Sequence, residues 1–153
     1  MKRALISCLC TMLLALSALS QTNNSGNNKA KAEDDAPPPN ASINPSSVDF
    51  KDQVAKKPSK PQRITITNTG GKALYINSVV LDGDNKEDFA LIRDTCTGAS
   101  IAANKSCVID LTITPGANER RVATLIITDN AFDSPQRLRL IGNGINSSAV
   151  PPK

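Results

Sequence analysis

Between Val48 and Ile141 apolar and polar residues alternate in short runs. In "QRITITN" Ile64 and Ile66 fall on one side and Thr65 and Thr67 on the other. "CVIDLTIT" sets Cys107, Ile109, Leu111 and Ile113 against Val108, Asp110, Thr112 and Thr114. In "RLRLIG" Leu138 and Leu140 face inward while Arg137 and Arg139 face water. "SVDF", "ALYINSVVL", "DFALI" and "VATLIIT" complete a set of seven runs. The turn signals "NTGGK", "DGDNKED", "TPGANE", "DNAFDSP" and "GNG" lie between them. A period of two, with a turn about every ten residues and no helical period, predicts an all-β antiparallel β-sandwich of about seven strands. Each sheet then has one buried and one wet face.

The two ends lack this rhythm. "MKR" followed by "ALISCLCTMLLALSAL" reads as a secretory signal over residues 1–20, cleaved before Gln21. The apolar run is too short for a transmembrane helix, so no stable membrane insertion is expected after its removal. Residues 21–42 are polar and rich in Asn, Ser, Ala and Pro, and read as a disordered linker stiffened at Pro37–Pro39. Residues 146–153 read as a flexible tail. One domain is left, residues 43–145, and the expected location is secreted, extracellular or periplasmic.

Composition narrows the function. Removing Lys2 and Arg3 lowers the excess of 18 basic over 14 acidic residues from four to two. That excess does not call for nucleic acid as a partner. Aromatics are 3% of the chain and tryptophan is absent, which leaves little for stacking bases or sugars. There is no histidine, so no Ser-His or Cys-His nucleophile system can be built. The acids fall in turns or on wet strand faces. A non-enzymatic chain without cofactors is the expectation.

The runs also resemble, in order, a known family. "INPSSVDF", "ITITNTGGKALYINSVVLDG", "DFALIRDTC", "SCVIDLTITPG" and "ATLIITDNAFDSPQRLRLIGNG" resemble the immunoglobulin-like domain of the Hydin / abnormal-spindle type. They are similar to the bacterial secreted modules called choice-of-anchor D. Asn68, Gly70, Leu74, Ile76, Gly83 and Phe89 stand at the matching positions. The resemblance covers residues 43–145. Ile113 and Thr114 precede Pro115, where the family often carries Phe. The resemblance implies a single immunoglobulin-like sandwich. The cilia and centrosome partners of its eukaryotic members do not carry over to a chain with a signal peptide.

Two cysteines, Cys96 and Cys107, remain once the signal is removed. A zinc site needs four ligands and a redox pair reads Cys-x-x-Cys. An even count in an oxidising compartment points to a structural disulfide, and the resemblance agrees. In "DGDNKED", Asp82, Asp84 and Asp88 are a weak calcium candidate, because Lys86 and Glu87 stand where an EF-hand loop needs a ligand and a glycine. A turn is the better reading there. "AKKPSKP" (55–61), Arg120 and Arg121 read as solvated loop charges. Phe50, Phe89 and Phe132 read as core plugs, and Tyr75, out of phase with Leu74 and Ile76, faces outward. The expected role is a protein-interaction or structural module that offers an edge strand or a sheet face. The first strand, interrupted at Pro45, is the expected open edge. A calcium- or glycan-binding surface domain and a periplasmic chaperone-like module are the alternatives.

Overall fold

The computed structural model describes residues 35–149, so the signal segment, residues 21–34 of the linker and residues 150–153 of the tail lie outside the described residues. Among the described residues nine strands are formed: β1 (Ala41–Asn44), β2 (Ser47–Val54), β3 (Gln62–Asn68), β4 (Leu74–Asp82), β5 (Phe89–Asp94), β6 (Ser100–Ile101), β7 (Ser106–Ile113), β8 (Arg120–Asp129) and β9 (Gln136–Ile145). Single 3₁₀ turns stand at Lys86–Asp88 and Ser147–Ala149. The sheets have the orders β1-β3-β7-β5 and β2-β9-β8-β4-β6.

The alternating runs become strands because one face of each can be buried. Ile64, Ile66, Leu74, Ile76, Ile109, Leu111, Ile113, Leu125, Ile127, Leu138 and Leu140 are at most 1% exposed. Each such side chain contributes about 1.5–3 kcal/mol by leaving water. Six of these eleven are isoleucine, whose β-branched side chain packs well on a pleated surface. Phe50 and Phe89 meet between the sheets, ring centroids 5.9 Å apart.

The seven expected strands become nine. The two additions, β1 and β6, have four and two residues and show too little alternation to stand out. β1 begins at Ala41, inside the stretch expected to be linker. Residues just before it are docked as well: Pro37 O accepts from Gly71 N and Lys72 N, at 3.1 and 2.8 Å, and Asn40 O accepts from Thr69 N at 2.8 Å. Gly70 permits this approach, since a Cβ there would stand 2.7 Å from Asn40 N. Only Pro45 and Ser46 separate β1 from β2, so one extended run supplies an edge strand to each sheet. As a result β2 pairs parallel to β9, whereas every other pairing is antiparallel as expected.

Candidate interaction surface

Four strands end the two sheets, and each exposes one row of N–H and C=O groups that another strand could use. Three of these edges are blunted. β1 is four residues long. β2 breaks register between Asp49 and Asp52, where Lys51 takes φ 59°. Its N–H and ammonium both donate to the Asp49 carboxylate, at 2.8 and 2.6 Å. β5 breaks register between Leu91 and Arg93, with the exposed Ile92 at the bulge.

The fourth edge is different. β6 covers β4 at Leu74 and Tyr75 only. The cover extends to Ile76, whose N–H donates to Ala99 O at 3.0 Å and whose C=O accepts from Gly98 N at 2.8 Å. From Asn77, where the ladder with β8 breaks register, to Asp82, β4 has β8 on one side and no strand on the other among the described residues. The longest unguarded edge is therefore on β4, not on the first strand, because the segment that should cover it forms only two residues of strand.

The outer faces of the two sheets also differ. On the β1-β3-β7-β5 sheet the face is mostly polar, with Ile92 exposed on its β5 edge. The Arg63 guanidinium grips Asp110 across β3 and β7, with Nε and Nη2 donating to the two carboxylate oxygens at 2.7 and 2.9 Å. This bond holds the Asp110 carboxyl below its ordinary range and raises the guanidinium. Thr67 and Ser106 are joined beside it by a 2.8 Å hydroxyl bond. On the other sheet Val80, Ile126 and Arg137 form one cross-strand row, and Val122 and Ile141 lie in another. Val80 is 48% exposed at the open edge. Tyr75 is 52% exposed on the same strand, as its phase predicts.

Several charged and aromatic residues are placed otherwise than expected. Phe132 is fully exposed in the β8–β9 loop, because Ala131 takes the buried position. Arg121 is not a solvated charge. Its side chain is 13% exposed, with Nε 3.2 Å from Asp88 Oδ2 and Nη2 3.8 Å from Glu119 Oε2. Asp88 also accepts from Gly116 N at 3.1 Å. Asp88, one of the three residues of the weak calcium candidate with Asp82 and Asp84, is thus engaged by Arg121 and Gly116. Among the described residues no three His, Cys, Asp or Glu side chains gather to hold a metal. The basic loop 55–61 is tied down by backbone bonds from Lys56 N to Pro115 O and from Ser59 N to Ile113 O, at 2.9 and 2.8 Å. Lys56 and Lys57 border a groove of about 490 Å³ with Gly116, Asn118 and Asn146.

Not all acids lie in turns or on wet faces. Asp129 ends β8 at 6% exposure. Its Oδ1 accepts from Ala131 N at 2.7 Å, while Oδ2 is buried without a hydrogen-bond partner. Burial pushes its carboxyl above the ordinary range, against the opposing bond from Ala131. A raised folded value means that its stabilising contribution is complete below the unfolded pKa and is lost as pH rises through the folded one. Asp129→Asn keeps the Oδ1 bond and removes the buried charge. Its stability gain over the parent is expected to grow as pH rises from about 4 to 7. Thermal melts across that range check this. A variant that falls further below the parent as pH rises would refute it.

Cys96 and Cys107 form the expected disulfide, with Cα atoms 5.2 Å apart. It ties the chain just after β5 to the start of β7. The Asp94 carboxylate accepts from Cys96 N and Thr97 N, at 2.7 and 3.1 Å, and shapes the turn that presents Cys96. Burial works against the Asp94 charge, yet these bonds and one from the Thr97 hydroxyl keep the group below the ordinary range.

Comparison of the sequence with protein-family models and with curated proteins gives no match. Solved structures with the same architecture do exist. A protein of unknown function from Porphyromonas gingivalis W83 matches with TM-score 0.56 and 16% identity, over 69% of this chain and 46% of that one. The ASH / PapD-like domain 7 of human CEP192 matches with TM-score 0.50 and 13% identity, over 70% and 86%. The periplasmic chaperone SfaE matches with TM-score 0.51 and 14% identity, over 74% and 61%. This chain thus spans less than half of the Porphyromonas protein. It spans 25–31% of two Vibrio cholerae proteases and a Clostridium perfringens glycoside hydrolase. At these identities the likeness is one of fold: an immunoglobulin-like β-sandwich of the kind seen in PapD-like, ASH and chaperone domains.

Proposed function

We propose that this protein is a non-enzymatic interaction module of the cell envelope or its exterior, which docks a protein partner on the open edge of β4 and the adjoining sheet face. The observation that carries this reading is the run Asn77–Asp82, six residues of strand with one side unpaired. Such an edge supplies main-chain hydrogen bonds to an added strand, and side chains on either face select which strand is taken. The disulfide supports an oxidising compartment. Among the described residues no helix is long and apolar enough to cross a membrane. The likeness to SfaE favours a second form of the same reading, in which the added strand belongs to a folding client.

Site-specific photocrosslinking tests the site. A crosslinker at Val80 is expected to capture a defined protein species in cells, and one at Thr67, on the polar sheet, is not. Equal capture at both positions, or none at Val80, would sink the proposal. The compartment is tested by the intact mass of protein recovered from the envelope or medium. A chain starting at Gln21 that takes up two alkyl groups only after reduction is the expected result. A full-length chain with free thiols would refute export.

A further inference from the structure

Resting on that reading of the β4 edge, we infer that the strand it takes is β4 of a second copy of this chain, antiparallel about a two-fold axis through Val80. The two five-stranded sheets then join into one of ten strands.

The limits of the open edge select this register. At one end Ile76 is closed by its bonds to Ala99 and Gly98. At the other Gly83, at φ 106°, turns the chain out of the strand. An antiparallel pair must oppose residues that point to the same side. Centred on Val80, Ser78 faces Asp82 and Val79 faces Leu81, while Asn77 is left opposite Gly83, outside the strand. Every position used is open. Centred on Val79, Asp82 would face the occupied Ile76, and the half-buried Leu81 would face the exposed Asn77 at the register break with β8.

The side chains suit the same register. Val79 and Leu81 are only half-buried, and both pack against the core at its open margin. A second copy lays Leu81 against Val79 on that side, twice by symmetry. On the outer side Val80 meets Val80. Each Asp82 meets a Ser78 hydroxyl, and the two Asp82 carboxylates stand about 14 Å apart along the strand direction. No like charges are opposed. The stretch also lacks what commonly keeps edges apart: Ser78–Asp82 holds no lysine, no proline, no register break and no inward-facing charge.

Analytical ultracentrifugation of protein produced from the full sequence, over a wide concentration range, tests this with three variants. The parent protein is expected to dimerise. Val80→Lys opposes two ammonium groups at the axis, and Ser78→Asp opposes two pairs of carboxylates; each is expected to weaken dimerisation about tenfold. Ser78→Lys pairs with Asp82 and is expected to tighten it several-fold. Opposite effects of two charges at one position cannot come from misfolding. A parent that stays monomeric throughout, or a dimer indifferent to the charge at residue 78, would overturn the inference. In either case capture of a different protein at Val80 would still uphold the wider reading, and its absence would remove both.

Discussion

Asn68→Ala is expected to cost about 3–5 kcal/mol and to lower the melting temperature by roughly 10–20 °C. Asn68 is fully buried at the end of β3. Its Nδ2 donates to Lys72 O and Ile101 O, at 2.8 and 2.9 Å. Its Oδ1 accepts from Gly70 N at 2.9 Å and, more weakly, from Asn40 N at 3.4 Å. One amide thus fastens the "NTGGK" turn, the β6 segment and the chain entering β1. Alanine removes all four of these bonds, among them the buried one to Ile101 O, and opens a cavity. Each unpaired buried group costs about 1–3 kcal/mol. Asn68→Asp separates hydrogen bonding from volume. Its carboxylate keeps the acceptor for Gly70 but turns a charge toward two carbonyls. That repulsion raises the folded pKa, so the variant is expected to recover stability as pH falls toward the ordinary carboxylate range. Denaturant melts at two pH values check both. A loss under 1 kcal/mol for Asn68→Ala, or Asn68→Asp indifferent to pH, would show that the bonds matter little.

The sandwich was legible because its main strands each bury one face, and burial of one face imposes a period of two. What escaped has a physical cause in each case. β1 and β6 are too short to show a period, and what fixes them, the Asn68 amide, the bare Gly70 and local backbone bonds, leaves no mark on alternation. The parallel β2–β9 pair depends on the crossing at Pro45–Ser46, which alternation does not report. Arg121 follows Arg120 and reads like its solvated neighbour, but it is covered by the turn that brings Asp88 to it from 33 residues away. The β8–β9 loop buries Ala131 and projects Phe132, because a turn has no alternation to say which residue points inward. The open β4 edge was least legible. Strand pattern predicts a strand; it does not predict how much of that strand a neighbour covers. Asn68 and Gly70 were matched only by resemblance, and their geometry now supplies the reason: one is a buried four-bond hub, the other a point of backbone contact.

Reducing the Cys96–Cys107 bond, or replacing both cysteines with alanine, is expected to cost about 3 kcal/mol, the chain-entropy value for a loop of this length. The separation is 11 residues. Both cysteines lie in the core cluster, Cys96 fully buried and Cys107 at 6% exposure. Alanine therefore avoids burying new hydroxyls, and the effect isolates the crosslink and the sulfur volume. The loss should not be uniform. The loop closed by the bond carries β6, and β6 with Gly98 and Ala99 is what closes β4 from Leu74 to Ile76. Ile101 O is also a partner of Asn68, so both large effects converge on this two-residue strand. Amide exchange should rise first at Gly98 and Ile76, ahead of Ile66 and Leu111 in the β3–β7 pair, which global unfolding alone exposes. Loosening β6 would extend the open β4 edge from six residues toward nine, which is a longer template for strand addition. The reduced protein should then associate through β4 in more than one register, where the oxidised protein is held to one. Exchange that rises equally everywhere, with association unchanged by reduction, would mean that the disulfide only stabilises the sandwich and does not set the length of its open edge.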